Sequence, residues 1–158
     1  MSPGAASLPE DILWCVAVQI LSALQTAHMY SLACRTVDCR HVLMTERNRF
    51  RVGSVGVMDV LEPHSNILEL QKQDLCQLGS LLLLLGCRGS TLLDVKTLMV
   101  RYSDRLVTVV KMLISGQRSA SAVLEQCTAQ VVKTLNSSLS TCDVYYNDLV
   151  GAEWGSEE

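Results

Sequence analysis

Apolar residues recur at Ile12, Val16, Ile20, Leu24 and Ala27, with Leu13, Ala17 and Leu21 beside them, a spacing that predicts a largely buried first helix. Ser7 is read as its N-cap and Pro9 as a first-turn residue, with Glu10 and Asp11 against the positive helix end. The texture then changes. "HVLMTERNRFRVGSVGVMDVL" gives two short β-type runs around "ERNR", then Gly53 and Gly56 close together, which predicts a hairpin and a loop. "EPHSNI" reads as a turn leading into "LELQKQDLCQLGSLLLLLGC", a second strongly apolar helix broken at Gly86 and Gly89. "STLLDVKTLMVRY" and "YSDRLVTVVKMLIS" follow as amphipathic helices, the latter opened by a Ser-Asp cap signature, and "SGQRS" is a turn.

From Ser119 onward neither proline nor glycine intervenes before Gly151, so a helix can run through. Val132, Leu135, Leu139, Cys142, Tyr146 and Leu149 step alternately by three and four residues, which is a heptad seam. Two heptads are few, and Asn136 and Ser138 interrupt them, so the competing reading packs this helix back on the preceding fold. The expected organisation is a globular part over 1–118, a last helix running into a coiled-coil segment over 119–150, and a frayed tail over 151–158.

Composition narrows the function classes. At 158 residues and 49% apolar the chain can bury one core. Its net charge of -3 and lack of a basic stripe argue against a surface that neutralises phosphates, so no direct nucleic-acid interface is expected. The seven cysteines are odd in number and scattered through apolar runs, which reads as free thiols in a reducing, cytoplasmic compartment. No signal peptide precedes the first helix, and "LGSLLLLLGC" is too short to span a bilayer, so no membrane partner is expected.

The chemistry worth testing lies in "ACRTVDCRHVLM", residues 33–44, between the first helix and the hairpin. Cys34, Cys39 and His41 lack the fourth ligand and second cysteine pair that structural zinc needs, so they read as ordinary thiols and a loop histidine. Cys34 with His28 lacks the oriented third group of a nucleophile and base.

The stretch resembles a protein-kinase catalytic loop. Phosphoryl transfer there needs an Asp to orient the attacking hydroxyl, and an Asn and a second Asp to hold magnesium. Thr36, His41 and Ser54 stand at those three positions. Asp38 and Asp59 fall at neither catalytic site. The arginine survives as Arg35, and "DLCQLG", Asp74 to Gly79, resembles the start of the central C-lobe helix, whose Asp would anchor the loop backbone.

"LPEDILW", "LACRTVDCRHVLMT", "RVGSVGVMDVL", "QKQDLCQLG" and "YSDRL…LIS…RS", in this order, resemble the regulatory pseudokinase subunit of the poly(A)-nuclease (PAN) deadenylation complex. The resemblance covers residues 7 to 150 and implies a mainly α, kinase-like C-lobe with a small hairpin, without its N-lobe, followed by a long C-terminal helix. It implies a non-enzymatic scaffold that dimerises through a coiled coil, recruits an exonuclease subunit and acts on mRNA poly(A) tails in cytoplasmic P-bodies. A full-length member binds ATP, and one such contact falls on Arg40 and His41 here; no cofactor is required. Two other classes compete: an unrelated α-helical interaction domain, and an atypical kinase-like enzyme.

Overall fold

The computed structural model describes residues 6–46, 49–53, 55–62 and 66–130. Helix α1 spans Glu10–Met29, and eleven of its side chains, Ile12, Val16, Ile20, Leu24 and Ala27 among them, are buried. By length and apolar composition α1 could cross a membrane, but most of it is enclosed by the rest of the chain, which makes it the core helix of the fold. Its N-cap is Pro9 and not Ser7. The backbone carbonyl of Pro9 accepts from Ile12 at 3.1 Å. Glu10 is turned to a different task, accepting from the Trp14 indole at 3.0 Å and from the Ser103 N–H at 2.9 Å. The first turn of α1 is thereby tied to a residue 93 positions away.

Strands β1 (Val42–Glu46) and β2 (Arg49–Val52) form the expected antiparallel hairpin, pairing Val42 with Val52 and Met44 with Phe50. Gln19 of α1 holds it by accepting the Phe50 N–H at 2.9 Å. Where a plain loop was expected after Gly53, a short helix α2, Val57–Leu61, follows Gly56, whose φ of 80° is the left-handed turn that glycine permits.

The central helix α3 runs Ile67–Gly86, capped by Asn66. α4 (Val95–Arg101), α5 (Asp104–Ser115) and α6 (Ala120–Gln126) follow, capped by Asp94, Ser103 and Ser119 in turn. α3 packs on both α1 and α5, while α6 and β2 lie against α1. Leu13, Ile20, Leu78, Leu82, Leu85, Leu106 and Leu113 fill the space between them. Gly79 lets α3 approach α5 closely, since a Cβ there would meet the Ile114 backbone nitrogen at 2.9 Å.

α6 ends at Gln126 and a single turn residue follows at Cys127, whose backbone stays in the right-handed helical region and whose N–H bonds back to Leu124 at 3.0 Å; residues 128–130 are helical again. Cys127 is fully buried at this point. The six described cysteines, Cys15, Cys34, Cys39, Cys76, Cys87 and Cys127, are free thiols. The proposed seam at Val132, Leu135, Leu139, Cys142, Tyr146 and Leu149 lies outside the described residues, as do Ser54 and the tail.

Candidate functional site

The loop between α1 and β1 is held by one ridge of α3. Gln71, Asp74 and Gln77 recur every three residues and so share a helix face. Asp74, fully buried, accepts the backbone N–H of Cys34 at 2.7 Å and of Arg35 at 2.6 Å. His28, at the end of α1, bonds the same carboxylate through Nε2 at 2.9 Å. Gln77 accepts the Val37 N–H at 2.9 Å and donates to the Arg35 carbonyl at 3.3 Å. Gln71 donates to the carbonyls of His28 and Leu32. A buried carboxylate is tolerable only when its lone pairs are filled, and here two amides and an imidazole fill them.

Two adjacent amides converging on one carboxylate force the chain to twist. Arg35 has φ 64°, an uncommon conformation for a residue with a side chain. Its guanidinium leaves the clamp and reaches α2, donating to the carbonyls of Met58 at 3.0 Å and Glu62 at 2.8 Å. Those carbonyls belong to the exposed C-terminal end of a helix, where a cation is electrostatically favoured. Carboxylates of Asp59 and Glu62 lie 4.0 and 3.7 Å from it. Arg35 therefore fastens α2 to the loop.

Further along, Asp38 organises its own turn. Its carboxylate accepts the Arg40 N–H and the His41 Nδ1, both at 2.8 Å. Partial burial works against ionisation, but the bonds from His41 and Arg40 outweigh it and hold the Asp38 carboxyl below its usual value. His41 is linked to Gly53, whose N–H donates to its carbonyl at 2.7 Å, so the start of the 53–56 loop lies beside it. The Arg40 guanidinium is 80% exposed and meets Asp38 at 3.6 Å.

Thr36 donates its hydroxyl back to the Cys34 carbonyl at 3.4 Å. Cys34 and His28 do meet at Asp74, but Cys34 contributes its backbone N–H there. Burial pushes the Cys34 thiol up to about 11, opposite to what a nucleophile needs. Among the described residues, no three His, Cys, Asp or Glu side chains gather as a metal site would require. Sequence reasoning missed Gln71, Gln77 and the clamp role of His28. The regular spacing of Gln71, Asp74 and Gln77 along one ridge of the helix was the available signal.

No family model matches the sequence. Among curated proteins, it is 32% identical over 154 residues to the PAN2-PAN3 deadenylation complex subunit PAN3 of Coccidioides immitis, covering 90% of this chain and 23% of that protein. The human PAN3 subunit is 31% identical over 163 residues, covering 92% of this chain and 18% of that protein. The chain therefore spans a quarter or less of the curated relatives it matches. The solved Neurospora crassa PAN3 pseudokinase has 27% identity and a TM-score of 0.74, covering 90% of this chain and 40% of that one. PAN3 (pseudokinase and C-term) in a complex with Neurospora crassa PAN2 (WD40-CS1) has 26% identity and a TM-score of 0.75, covering 94% and 40%.

Proposed function

We propose, from the premise that this chain is homologous over 90% of its length to PAN3 subunits and shares the PAN3 pseudokinase fold, that it serves as a non-catalytic scaffold in a poly(A)-nuclease deadenylation complex. One observation carries the non-catalytic part. Of the groups at the kinase-like loop, Asp74 and Arg35 are committed to backbone amides and carbonyls. Thr36, at the position of the base, turns its hydroxyl to a neighbouring carbonyl. A hydroxyl offers neither a base nor a strong magnesium ligand, so the position of the base holds no acid-base group, and Asp38 is committed to its own turn. Replacement of the three catalytic groups by Thr36, His41 and Ser54 is the sequence basis of this reading.

In this scaffold role the chain pairs with a second copy along the 132–149 seam and engages the exonuclease subunit, acting in the cytoplasm and in P-bodies. ATP is not required. Arg40, exposed, and His41, held by Asp38, are the remnant nucleotide contact by resemblance.

The purified chain should show no autophosphorylation with magnesium and ATP. It should co-purify with a PAN2-type exonuclease and sediment as a dimer that Leu139→Glu converts to a monomer. Incorporation of labelled phosphate into the chain would overturn the non-catalytic reading. An unchanged dimer in the Leu139 variant would overturn the seam, and failure to retain the exonuclease would remove the recruiting role.

A further inference from the structure

A groove of about 450 Å³ opens where the end of α1, the start of α3 and the α5–α6 turn meet, away from the Asp74 clamp's loop side. Its apolar wall includes Met29 and Leu68, which are 76% and 69% exposed, together with the buried Leu75 and Ala120. Lys72 and Arg118 stand at its rim, and no aspartate or glutamate lines it. In a chain of net charge -3, this is a local reversal of sign. Among the described residues Lys72 pairs with Glu69, at 3.8 Å, and both side chains are more than half exposed, so that pair is weak and readily exchanged. Arg118 is exposed with no ion pair among the described residues.

We infer that this groove is a docking site for a short acidic segment of a partner protein with a bulky aliphatic or aromatic anchor. The anchor would cover Met29 and Leu68, removing from water two large apolar side chains that the fold leaves bare. Flanking carboxylates would face Lys72 and Arg118, where they meet cations without displacing a buried partner. Gln117, exposed on the same wall, supplies an amide group for an extended peptide backbone. The inference stands on the groove alone and does not depend on the scaffold role proposed above.

The test is fluorescence anisotropy of the full chain with a labelled peptide in which a Leu-Trp pair is flanked by glutamates. The same peptide with lysines, and with glutamates but no apolar pair, are the controls. Binding of the first peptide should weaken at least tenfold in the Lys72→Glu/Arg118→Glu variant and fall with added salt. Leu68→Ser should weaken it separately. All three positions are exposed, so these variants keep the fold, which circular dichroism verifies. Equal binding of the lysine peptide would overturn the proposal. So would binding of heparin or poly(A) RNA by the groove with none of the acidic peptide, which would make it a polyanion site.

Discussion

Replacing Asp74 with alanine tests whether the clamp is what holds the loop. The side chain is fully buried and serves the Cys34 and Arg35 amides and His28. Alanine leaves two amide donors without a partner, each costing ~1–3 kcal/mol when buried, and strands the imidazole. A small cavity adds to that. The sum is about 3–6 kcal/mol, comparable with the ~5–15 kcal/mol stability of an ordinary domain. Asp74→Asn keeps one accepting oxygen but turns an NH2 group toward a donor, so its loss should be smaller, about 1.5–3 kcal/mol. Gln77→Ala, at a partly buried site, should cost only ~1 kcal/mol. Urea unfolding followed by far-UV circular dichroism ranks the three, and hydrogen exchange at the Cys34 and Arg35 amides localises the effect. If Asp74→Ala leaves the midpoint unmoved with both amides still protected, the loop is held by something else and the reasoning fails.

Gly79→Ala and Gly86→Ala should each destabilise by ~1–3 kcal/mol in thermal melts, and an unchanged midpoint in either would refute the close approach. At Gly79 the new Cβ meets backbone, the Ile114 nitrogen at 2.9 Å, and at Gly86 it meets the buried Leu98 side chain with the Tyr102 ring at 3.2 Å. Arg35→Gly should be more stable than Arg35→Ala by about 0.5–1 kcal/mol, because both lose the α2 contact but only alanine keeps the strained φ of 64°; the reverse order in chemical denaturation would dismiss the strain. Cys34, lifted to about 11 by burial, should resist iodoacetamide in the native chain at neutral pH, with mass spectrometry finding the partly exposed Cys39 and Cys76 alkylated first. Its folded value lies above the ordinary 9.0, so the unfolded thiol ionises first as pH rises, and that share of stability is lost between 9.0 and about 11. Asp38 runs the other way. Held below its ordinary 3.8, it stabilises its turn above that pH and ceases to do so as acid protonates it, visible as faster exchange at the Arg40 and His41 amides below 3.8.

What could be read from the residues divides along physical lines. Helix starts with a local cause were legible: Ser103 caps α5 within three residues, so composition alone marks it. The hairpin was legible because its alternation is local too. The α1 cap was misplaced by two residues because Pro9 takes that position with no side-chain bond to mark it. Glu10 and Asp11 lie in the first turn as expected, and Glu10 also reaches Ser103, a contact no local pattern reveals. α2 was read as loop because its five residues bury nothing and its end is stabilised by Arg35, more than twenty positions upstream.

The candidate site divides in the same way, and the division explains its chemistry. Which residues stand at the kinase-like positions is a matter of residue identity, and the resemblance places Thr36, His41 and Ser54 there. How the loop stays ordered depends on α3, some forty positions later, through Gln71, Asp74 and Gln77. These side chains contact backbone almost exclusively, so they are indifferent to which side chains the loop carries. The side chains of Thr36 and His41 can therefore change without cost to the clamp, whereas that of Asp74 cannot. A loop ordered through its main chain keeps its shape whatever side chains it carries, which is the property the proposed scaffold role requires.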